Sequence, residues 1–272
     1  MANWLVALIL GIVEGLTEFL PVSSTGHLIL ANIWFNFEDK QFTKLFDIVV
    51  QVGAILAVII FFWNKIMPFG KPPEVRNAIF ERWINVGISV IPALLFGKLL
   101  DDWLEENLFN PKTVAISLVL WGIVLLFADR KNTATKKIQS IDSIHWQIAL
   151  YIGLIQCLAM IPGTSRSAAT IVGAMLLGCT RVVAADFSFL LAIPTLCAAS
   201  GYKLLKFLSE GATLNTEQIL SLSIGFVTAF VVAWFVISKF MAFISTQRFT
   251  PFAWYRIGLG IVVLILLFAK VI

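Results

Sequence analysis

The sequence predicts an all-α protein that crosses a membrane several times, and three observations carry this prediction. Hydrophobic residues make up 59% of the 272 positions, whereas charged residues make up 13%, about half the share found in water-soluble domains. The mean hydropathy is +0.92. Uninterrupted apolar segments, each long enough to cross the hydrocarbon layer as a helix, recur along the whole chain.

Six apolar segments have the length of a complete membrane span. They cover residues 45–63, 84–100, 113–128, 183–205, 219–238 and 252–270. Short polar loops separate them and hold most of the basic residues, a distribution that is typical of orientation signals and not of a nucleic-acid-binding surface. We therefore expect membrane lipids, and no nucleic acid, around this chain.

Two further apolar regions, 3–36 and 146–180, are interrupted near their middle by a proline followed by hydroxyl residues. The interruptions read LPVSS at 20–24 and IPGTS at 161–165. A proline cannot continue the helix behind it, and serine or threonine caps a new helix start. Each region is therefore predicted to be a re-entrant helical hairpin, with a continuous kinked span as the alternative.

The two broken regions also resemble each other, which indicates an internal duplication. The segment GIVEGL at 11–16 aligns with GLIQCL at 153–158. Pro21-Val-Ser-Ser24 likewise aligns with Pro162-Gly-Thr-Ser165. We therefore divide a single membrane domain into two repeat halves.

The domain covers residues 1–272, and its halves, at about 1–128 and 146–272, each contain one hairpin and three spans. Because three is odd, the second half starts on the opposite face, so the repeat is inverted and places a site near the bilayer midplane. Basic residues outnumber acidic ones in the loops of one face, which are 64–83, 129–145, residue 181 and 239–250. The positive-inside rule makes that face cytoplasmic and puts both termini outside.

Few charged residues remain at membrane depth once the loop charges are assigned. They are Glu14, Glu18, Asp47, Asp186, Arg166 and Arg256, with His27 beside them. Charges in hydrocarbon are costly and rarely face lipid, so each is a candidate functional residue. Glu14 and Glu18 share one helix face. Two interpretations are open: the pair binds Mg²⁺ or Ca²⁺, or Arg166 neutralises it without a metal.

Hydroxyl residues open the second helix of each hairpin. The two starts read Ser23, Ser24, Thr25, Gly26 in the first hairpin and Thr164, Ser165, Arg166, Ser167 in the second. A helix start with free backbone N–H groups is a ready anion site, and ordinary helix capping is the alternative. Two such starts, one with an arginine whose fork matches phosphate oxygens, favour the anion site.

These residues together form a set of carboxylates, hydroxyls, an imidazole and an arginine in a water-poor pocket. The set suits phosphoryl transfer, in which a phosphate is clamped, a hydroxyl or water is activated and the leaving group is protonated. It also suits a carrier of an anion or lipid, because inverted repeats are common in transporters.

The motifs EGLTEFLPVSSTGH at 14–27 and PGTSRS at 162–167 resemble those of the undecaprenyl-diphosphate phosphatase family of the bacitracin-resistance type. The resemblance extends over the full length and departs mildly at Asp47 and Asp186, where that family is expected to have glutamate. It implies hydrolysis of undecaprenyl diphosphate to undecaprenyl phosphate and inorganic phosphate. This reaction recycles the carrier lipid for cell-wall synthesis and confers bacitracin resistance.

On this resemblance we expect roles for residues of both motifs. Ser24 is the expected nucleophile, Glu18 its base or a metal ligand, and Arg166 the phosphate clamp. Glu14 is an expected metal ligand, and His27 a general acid or an alternative nucleophile. Dependence on Mg²⁺ or Ca²⁺ is implied as well. The expected substrate-binding residues are Ser23, Thr25, Gly26, Thr164, Ser165 and Gln51.

The resemblance also implies a bacterial cytoplasmic (inner) membrane location, with the site open to the outer, periplasmic face. A polyprenyl diphosphate lipid is the expected partner, and a homodimer is a further expectation. The alternative function is a carrier that flips undecaprenyl phosphate or a similar lipid anion. The cluster of glutamates, serine and histidine weighs against it, since translocation needs less chemistry than these residues offer.

Overall fold

The computed structural model describes residues 2–131, 138–209 and 214–271. Within these ranges the regular structure is helical, with no β-strand, which confirms the predicted all-α class. The α-helices are α1 (Asn3–Thr17), α2 (Ser24–Ala31), α3 (Lys40–Phe61), α4 (Trp63–Ile66), α5 (Pro73–Leu108), α6 (Pro111–Lys131), α7 (Trp146–Gln156), α8 (Arg166–Leu176), α9 (Arg181–Ser209), α10 (Thr216–Thr246) and α11 (Thr250–Phe268).

Six of the described helices are long and apolar enough to cross a membrane, which confirms the polytopic fold. They are α3, α5, α6, α9, α10 and α11, and each coincides with one predicted span apart from its ends. The largest difference is in α5, which covers 73–108 against a predicted 84–100. Pro73 can start this helix because the first turn needs no N–H partner, and polar turns then extend it beyond the apolar segment.

Each broken region forms two short helices separated by a loop. The first loop, residues 18–23, joins α1 to α2. The second loop, residues 161–165, joins α8 to the 3₁₀ turn Cys157–Met160 that continues α7. The two helices of each region pack against each other. This packing favours the hairpin over a continuous kinked span.

Corresponding helices of the two halves make corresponding contacts. α1 packs against α10 and its counterpart α7 against α5, while α3 packs against α9 and α6 against α11. The loops correspond through Ser23 and Ser165, which both precede a helix and have φ angles of 76° and 75°. This match pairs Ser24 with Arg166, one residue away from the alignment of the prolines, because two residues separate Pro162 from Ser165 whereas one separates Pro21 from Ser23. The inverted orientation of the halves stays a prediction.

α1 and α10 approach each other so closely that two positions leave no room for a side chain. A Cβ atom on Gly11 would lie 2.8 Å from the Gly225 carbonyl oxygen, and one on Gly15 would lie 2.8 Å from that of Ala229. Small residues permit such approaches between membrane helices, which are held together by van der Waals packing. This seam fixes α1, which carries Glu14, against a complete span.

Two aspartates form ion pairs at helix ends. Asp186, a functional candidate from the sequence, accepts a hydrogen bond from Lys65 Nζ at 2.8 Å. Asp129 is 1% exposed and accepts hydrogen bonds from Arg181 Nε at 2.6 Å and Thr250 Oγ1 at 3.1 Å. These contacts tie together helix ends that the loop charges assign to the cytoplasmic face. The ion pair of Asp186 therefore stabilises this end of the bundle.

Replacing Asp129 by alanine is expected to destabilise the protein by about 3 kcal/mol, because Arg181 would lose its buried partner and keep its charge. Asp142→Ala is the control, since Arg82 bonds Asp142 at the same 2.6 Å but this carboxylate is 43% exposed. The exposed pair should contribute less than about 1 kcal/mol. Thermal unfolding in detergent measures both variants, and equal losses would contradict the expectation.

Candidate active site

The two loops lie side by side because one arginine side chain binds the backbone of both. Arg256, in the apolar helix α11, is fully buried. Its Nη1 donates to the Pro21 carbonyl at 2.9 Å, and its Nη2 donates to the carbonyls of Gly163 at 2.7 Å and Thr164 at 2.9 Å. The proline-containing breaks that the sequence places about 140 residues apart are therefore joined into one unit.

Three of the predicted catalytic residues meet where the loops adjoin. The Ser24 hydroxyl donates to Glu18 Oε2, and Arg166 Nη2 donates to Glu18 Oε1 at 3.0 Å. Arg166 is held in place by Nη1, which donates to the Ser188 carbonyl at 3.0 Å, and by the Phe19 ring, whose centroid lies 5.7 Å from the guanidinium carbon. The cluster therefore joins a hydroxyl to a carboxylate that faces a cation, the arrangement of an activated nucleophile.

Glu14 lies one turn before Glu18 and is 1% exposed, but neither of its carboxylate oxygens has a hydrogen-bond partner among the described residues. Asp47 Oδ1 is likewise buried without a hydrogen-bond partner among the described residues. A buried carboxylate without a donor is stable only as the neutral acid or beside a cation. Of the predicted metal pair, Glu18 is engaged at both oxygens, whereas Glu14 is open to a cation. No group of three or more histidine, cysteine or acidic side chains in the described ranges has metal-binding geometry.

The hydroxyls of Ser23 and Ser165 cap the helices that they precede. Ser23 Oγ accepts a hydrogen bond from Gly26 N at 3.2 Å, and Ser165 Oγ accepts one from Ala168 N at 3.2 Å. The capping interpretation therefore holds for these two side chains. Thr164 is buried, and its hydroxyl lacks a partner within the described parts of the chain.

His27 is not joined to the Ser24 cluster. Its Nδ1 lies 2.7 Å from the Ser23 carbonyl oxygen, and its Nε2 lies 2.7 Å from the Tyr255 hydroxyl, whose ring stacks on the imidazole. Because both nitrogens are engaged, this geometry gives no support to His27 as a general acid or nucleophile. The imidazole instead braces the backbone of the first loop.

Two cavities adjoin at the cluster, and the residues that line both are Ser24, Thr25, Gln51, Phe109 and Lys203. One cavity, of about 570 Å³, contains Glu14 and Asp47 and is ringed by Lys40, Lys44 and Lys206. The other, of about 600 Å³, contains Glu18, Arg166 and Ser165 and has mainly apolar walls that include Leu94, Leu104 and Leu196. Gln51 Oε1 accepts a hydrogen bond from Ser200 at 3.2 Å. The cluster thus lies between a charged space and an apolar one.

Arg256 was predicted only as a candidate functional residue without a stated role, and Tyr255 and Lys203 were not predicted. Arg256 was detectable as a charge inside an apolar span, but its carbonyl partners have no residue-type signature. Tyr255 has no sequence signal, since tyrosine is ordinary in a membrane helix. Lys203 stands near the end of a span and was indistinguishable from a loop charge.

Comparison with known proteins agrees with these motifs. The family model described as "Bacitracin resistance protein BacA" matches residues 7–262. The chain belongs to this family. It is 47% identical to a protein of Acidovorax ebreus over 95% of this chain and 93% of that one, and 45% identical to a protein of Clostridium tetani over 98% and 97%. Both relatives are named undecaprenyl-diphosphatase. The resemblance inferred from two motifs is therefore confirmed.

The family match encloses both loops and every residue of the site from Glu14 to Arg256. A third relative, from Lacticaseibacillus paracasei, is 45% identical over 96% of this chain and 97% of its own length, and carries the same name. The similarity therefore spans the whole membrane domain and not an isolated motif.

Gly163→Ala tests the close contact of the second loop. Gly163 has a φ of 90°, and a Cβ there would lie 2.5 Å from the Val114 carbonyl oxygen. We expect a loss of about 1–2 kcal/mol from the backbone and about 1–3 kcal/mol more from the clash. Gly70→Ala is the matched control, because Gly70 has a φ of 71° and open space around it. Equal melting temperatures in detergent would contradict the importance of this contact.

Proposed function

We propose that this chain hydrolyses undecaprenyl diphosphate to undecaprenyl phosphate and inorganic phosphate, which recycles the carrier lipid for cell-wall synthesis and confers resistance to bacitracin. Its membership in the BacA family and the names of its relatives support this function. The structural observation that carries it is the Ser24–Glu18–Arg166 cluster, because a hydroxyl, a base and a phosphate-binding cation meet at one point.

In the first step, Glu18 takes the Ser24 proton while the Ser24 oxygen attacks the distal phosphorus. The bond from that phosphorus to the bridging oxygen breaks, and undecaprenyl phosphate leaves with the bonding electrons. Arg166 lies beside the attacking oxygen through its bond to Glu18. Its guanidinium binds the non-bridging oxygens, on which negative charge develops.

In the second step, water attacks the phosphorus of the Ser24 phosphoester, and the bond between this phosphorus and the serine oxygen breaks. The proton held by Glu18 returns to the Ser24 oxygen. The water oxygen and both of its protons leave as part of inorganic phosphate, so the enzyme returns to its starting state. Direct attack by water on the diphosphate, with Glu18 as its base and Arg166 as the phosphate clamp, is the one-step alternative and needs no Ser24 nucleophile.

Mg²⁺ or Ca²⁺ is part of this proposal, and the donors present fit a divalent cation in part. Glu14 would hold it, since both of its oxygens are buried without a hydrogen-bond partner among the described residues. Asp47 lines the same cavity and would be a second oxygen ligand. Such a cation, when bound, offsets the charge of a diphosphate.

The two cavities suit the two parts of a polyprenyl diphosphate. The apolar walls of the 600 Å³ cavity match a prenyl chain, whereas the lysines around the 570 Å³ cavity match an anionic head group. Lys40, Lys44, Lys203 and Lys206 belong to helix ends that the loop charges assign to the outer face. This placement supports a site that opens to the outer face of the bacterial cytoplasmic membrane. A homodimer stays a prediction.

A carrier that flips the lipid anion has less support. Translocation requires a binding site that is reached from both faces, but it does not require a hydroxyl bonded to a carboxylate. Phosphate release separates the two functions, because a carrier produces none.

Glu18→Ala and Arg166→Ala are each expected to reduce phosphate release at least about 100-fold, since each removes a group that acts on the developing charge. The assay uses the purified chain in detergent, undecaprenyl diphosphate and Mg²⁺, and measures inorganic phosphate. Glu74→Ala and Arg76→Ala are matched controls, because both residues are exposed on α5. Full activity of either site variant would overturn the site, and addition of a chelator should suppress the wild-type activity.

Ser24→Ala and His27→Ala distinguish the nucleophiles. We expect Ser24→Ala to lose turnover at least about 100-fold, because no hydroxyl remains beside Glu18. His27→Ala should lose less, since the imidazole contacts only the Ser23 carbonyl and Tyr255 through its nitrogens. If Ser24→Ala keeps wild-type turnover while His27→Ala does not, the nucleophile is His27 or water.

A further inference from the structure

We propose that Arg256 is a positioning residue of the active site: it holds the two loops in the register that sets Ser24 against Glu18 and Arg166. This inference rests on the proposed function. Arg256 belongs to α11, a helix that contributes no residue to the catalytic cluster and lies outside both motifs. Its contacts nevertheless link the loop before Ser24 directly to the loop before Arg166.

Because Arg256 is buried, its charge must be compensated by the groups that it contacts in the two loops. None of the acids that the structure describes lies within ion-pair distance of the guanidinium, which is fully buried in an apolar helix. A buried cation is costly unless polar groups compensate it. Its observed hydrogen-bond partners are the three loop carbonyls of Pro21, Gly163 and Thr164. Separation of the loops would strip the cation of these partners, so Arg256 favours the joined state.

The carbonyls bound by Arg256 stand close in sequence to the reacting groups. Pro21 is three residues before Ser24, and Thr164 is two residues before Arg166. Glu18, which lies in the first loop, bonds Ser24 and Arg166, the residues that directly follow the two loops. A shift of one loop against the other would therefore lengthen the bonds of Glu18. Misplacement of reacting groups by about 1 Å can reduce the rate roughly 100-fold.

Tyr255 supports the same loop from the neighbouring position of α11. Its hydroxyl contacts His27 Nε2 at 2.7 Å, and His27 Nδ1 contacts the Ser23 carbonyl at 2.7 Å. The carbonyls of both Pro21 and Ser23 are thus held from α11, one directly and one through the imidazole. Consecutive residues of one span therefore restrain the backbone that precedes Ser24.

Arg256 could act through its positive charge or through the shape of its guanidinium, and these two roles predict different effects of substitution. A positive charge behind the loops would by itself favour an anion in the site, and lysine would preserve that effect. Positioning requires a planar fork that reaches both loops, which a lysine ammonium cannot replace. Arg256→Lys therefore separates the two, and Arg256→Met removes both charge and fork.

The test measures kcat and KM for phosphate release from undecaprenyl diphosphate by the purified full chain in detergent, together with the melting temperature. We expect kcat to fall about 100-fold in Arg256→Met and about tenfold in Arg256→Lys, with KM within about threefold of wild type. Arg248→Met is the matched control, because Arg248 is an exposed arginine just before α11, and it should keep wild-type kinetics.

A double variant separates positioning from a general loss of folded protein. If Arg256 acts through Arg166, then Arg166→Lys combined with Arg256→Lys should be no more than about twofold slower than the slower single variant. Losses that multiply would overturn the proposal, as would a kcat within twofold of wild type in Arg256→Lys. Should Arg256→Met fail to fold, Arg256→Lys decides the question. An inactive wild-type chain would instead count against the proposed function.

Discussion

A helix that stops inside a bilayer exposes backbone carbonyl and N–H groups that hydrocarbon cannot hydrogen-bond, and this constraint shapes the centre of the protein. The chain is subject to this constraint twice, at the loops that interrupt its two hairpin regions. Serine side chains cap the N–H groups of the following helices, and Arg256 binds carbonyls of both loops. Each of these sets of hydrogen bonds satisfies backbone groups at a break in a helix and, at the same time, brings polar groups to one place.

The catalytic cluster depends on that arrangement. Ser24 and Glu18 come from the first half of the chain, whereas Arg166 comes from the second, so neither half contains a complete site. The side chains of the cluster are largely buried, which strengthens the interaction of a cation with a phosphate. The same surroundings make an unpaired charge costly, and the ion pair between Glu18 and Arg166 limits that cost before substrate binds. Stability and chemistry therefore rest on the same contacts.

Much of this could be predicted from the sequence, because long apolar segments report membrane spans directly and proline followed by serine reports a break. Neutralisation of the acidic pair by Arg166 without a metal was one of two interpretations, and the structure contains the contact of Arg166 with Glu18 but none with Glu14 among the described hydrogen bonds and ion pairs. The partners of Arg256 and His27 were out of reach, since backbone carbonyls are the same in every residue. Alignment of the prolines pairs Ser24 with Ser165, whereas the backbone angles pair Ser23 with Ser165. The difference of one position arises because an extra residue separates the proline from the serine in the second loop. The ion pair of Asp186 was not predicted either, because its partner Lys65 lies 121 positions earlier.

The seam between α1 and α10 has a consequence for how this protein tolerates change. Gly11 and Gly15 share α1 with Glu14, and a single methyl group at either glycine would meet backbone of α10. Hydrophobicity is irrelevant at such a contact, since lipid is as apolar as any side chain that replaces glycine. The volume of the side chain alone determines whether the two helices can approach this closely. Added volume would displace the helix that carries the acidic residues. The position of the carboxylates is thus controlled by the absence of atoms at Gly11 and Gly15, about two turns and about one turn before Glu18.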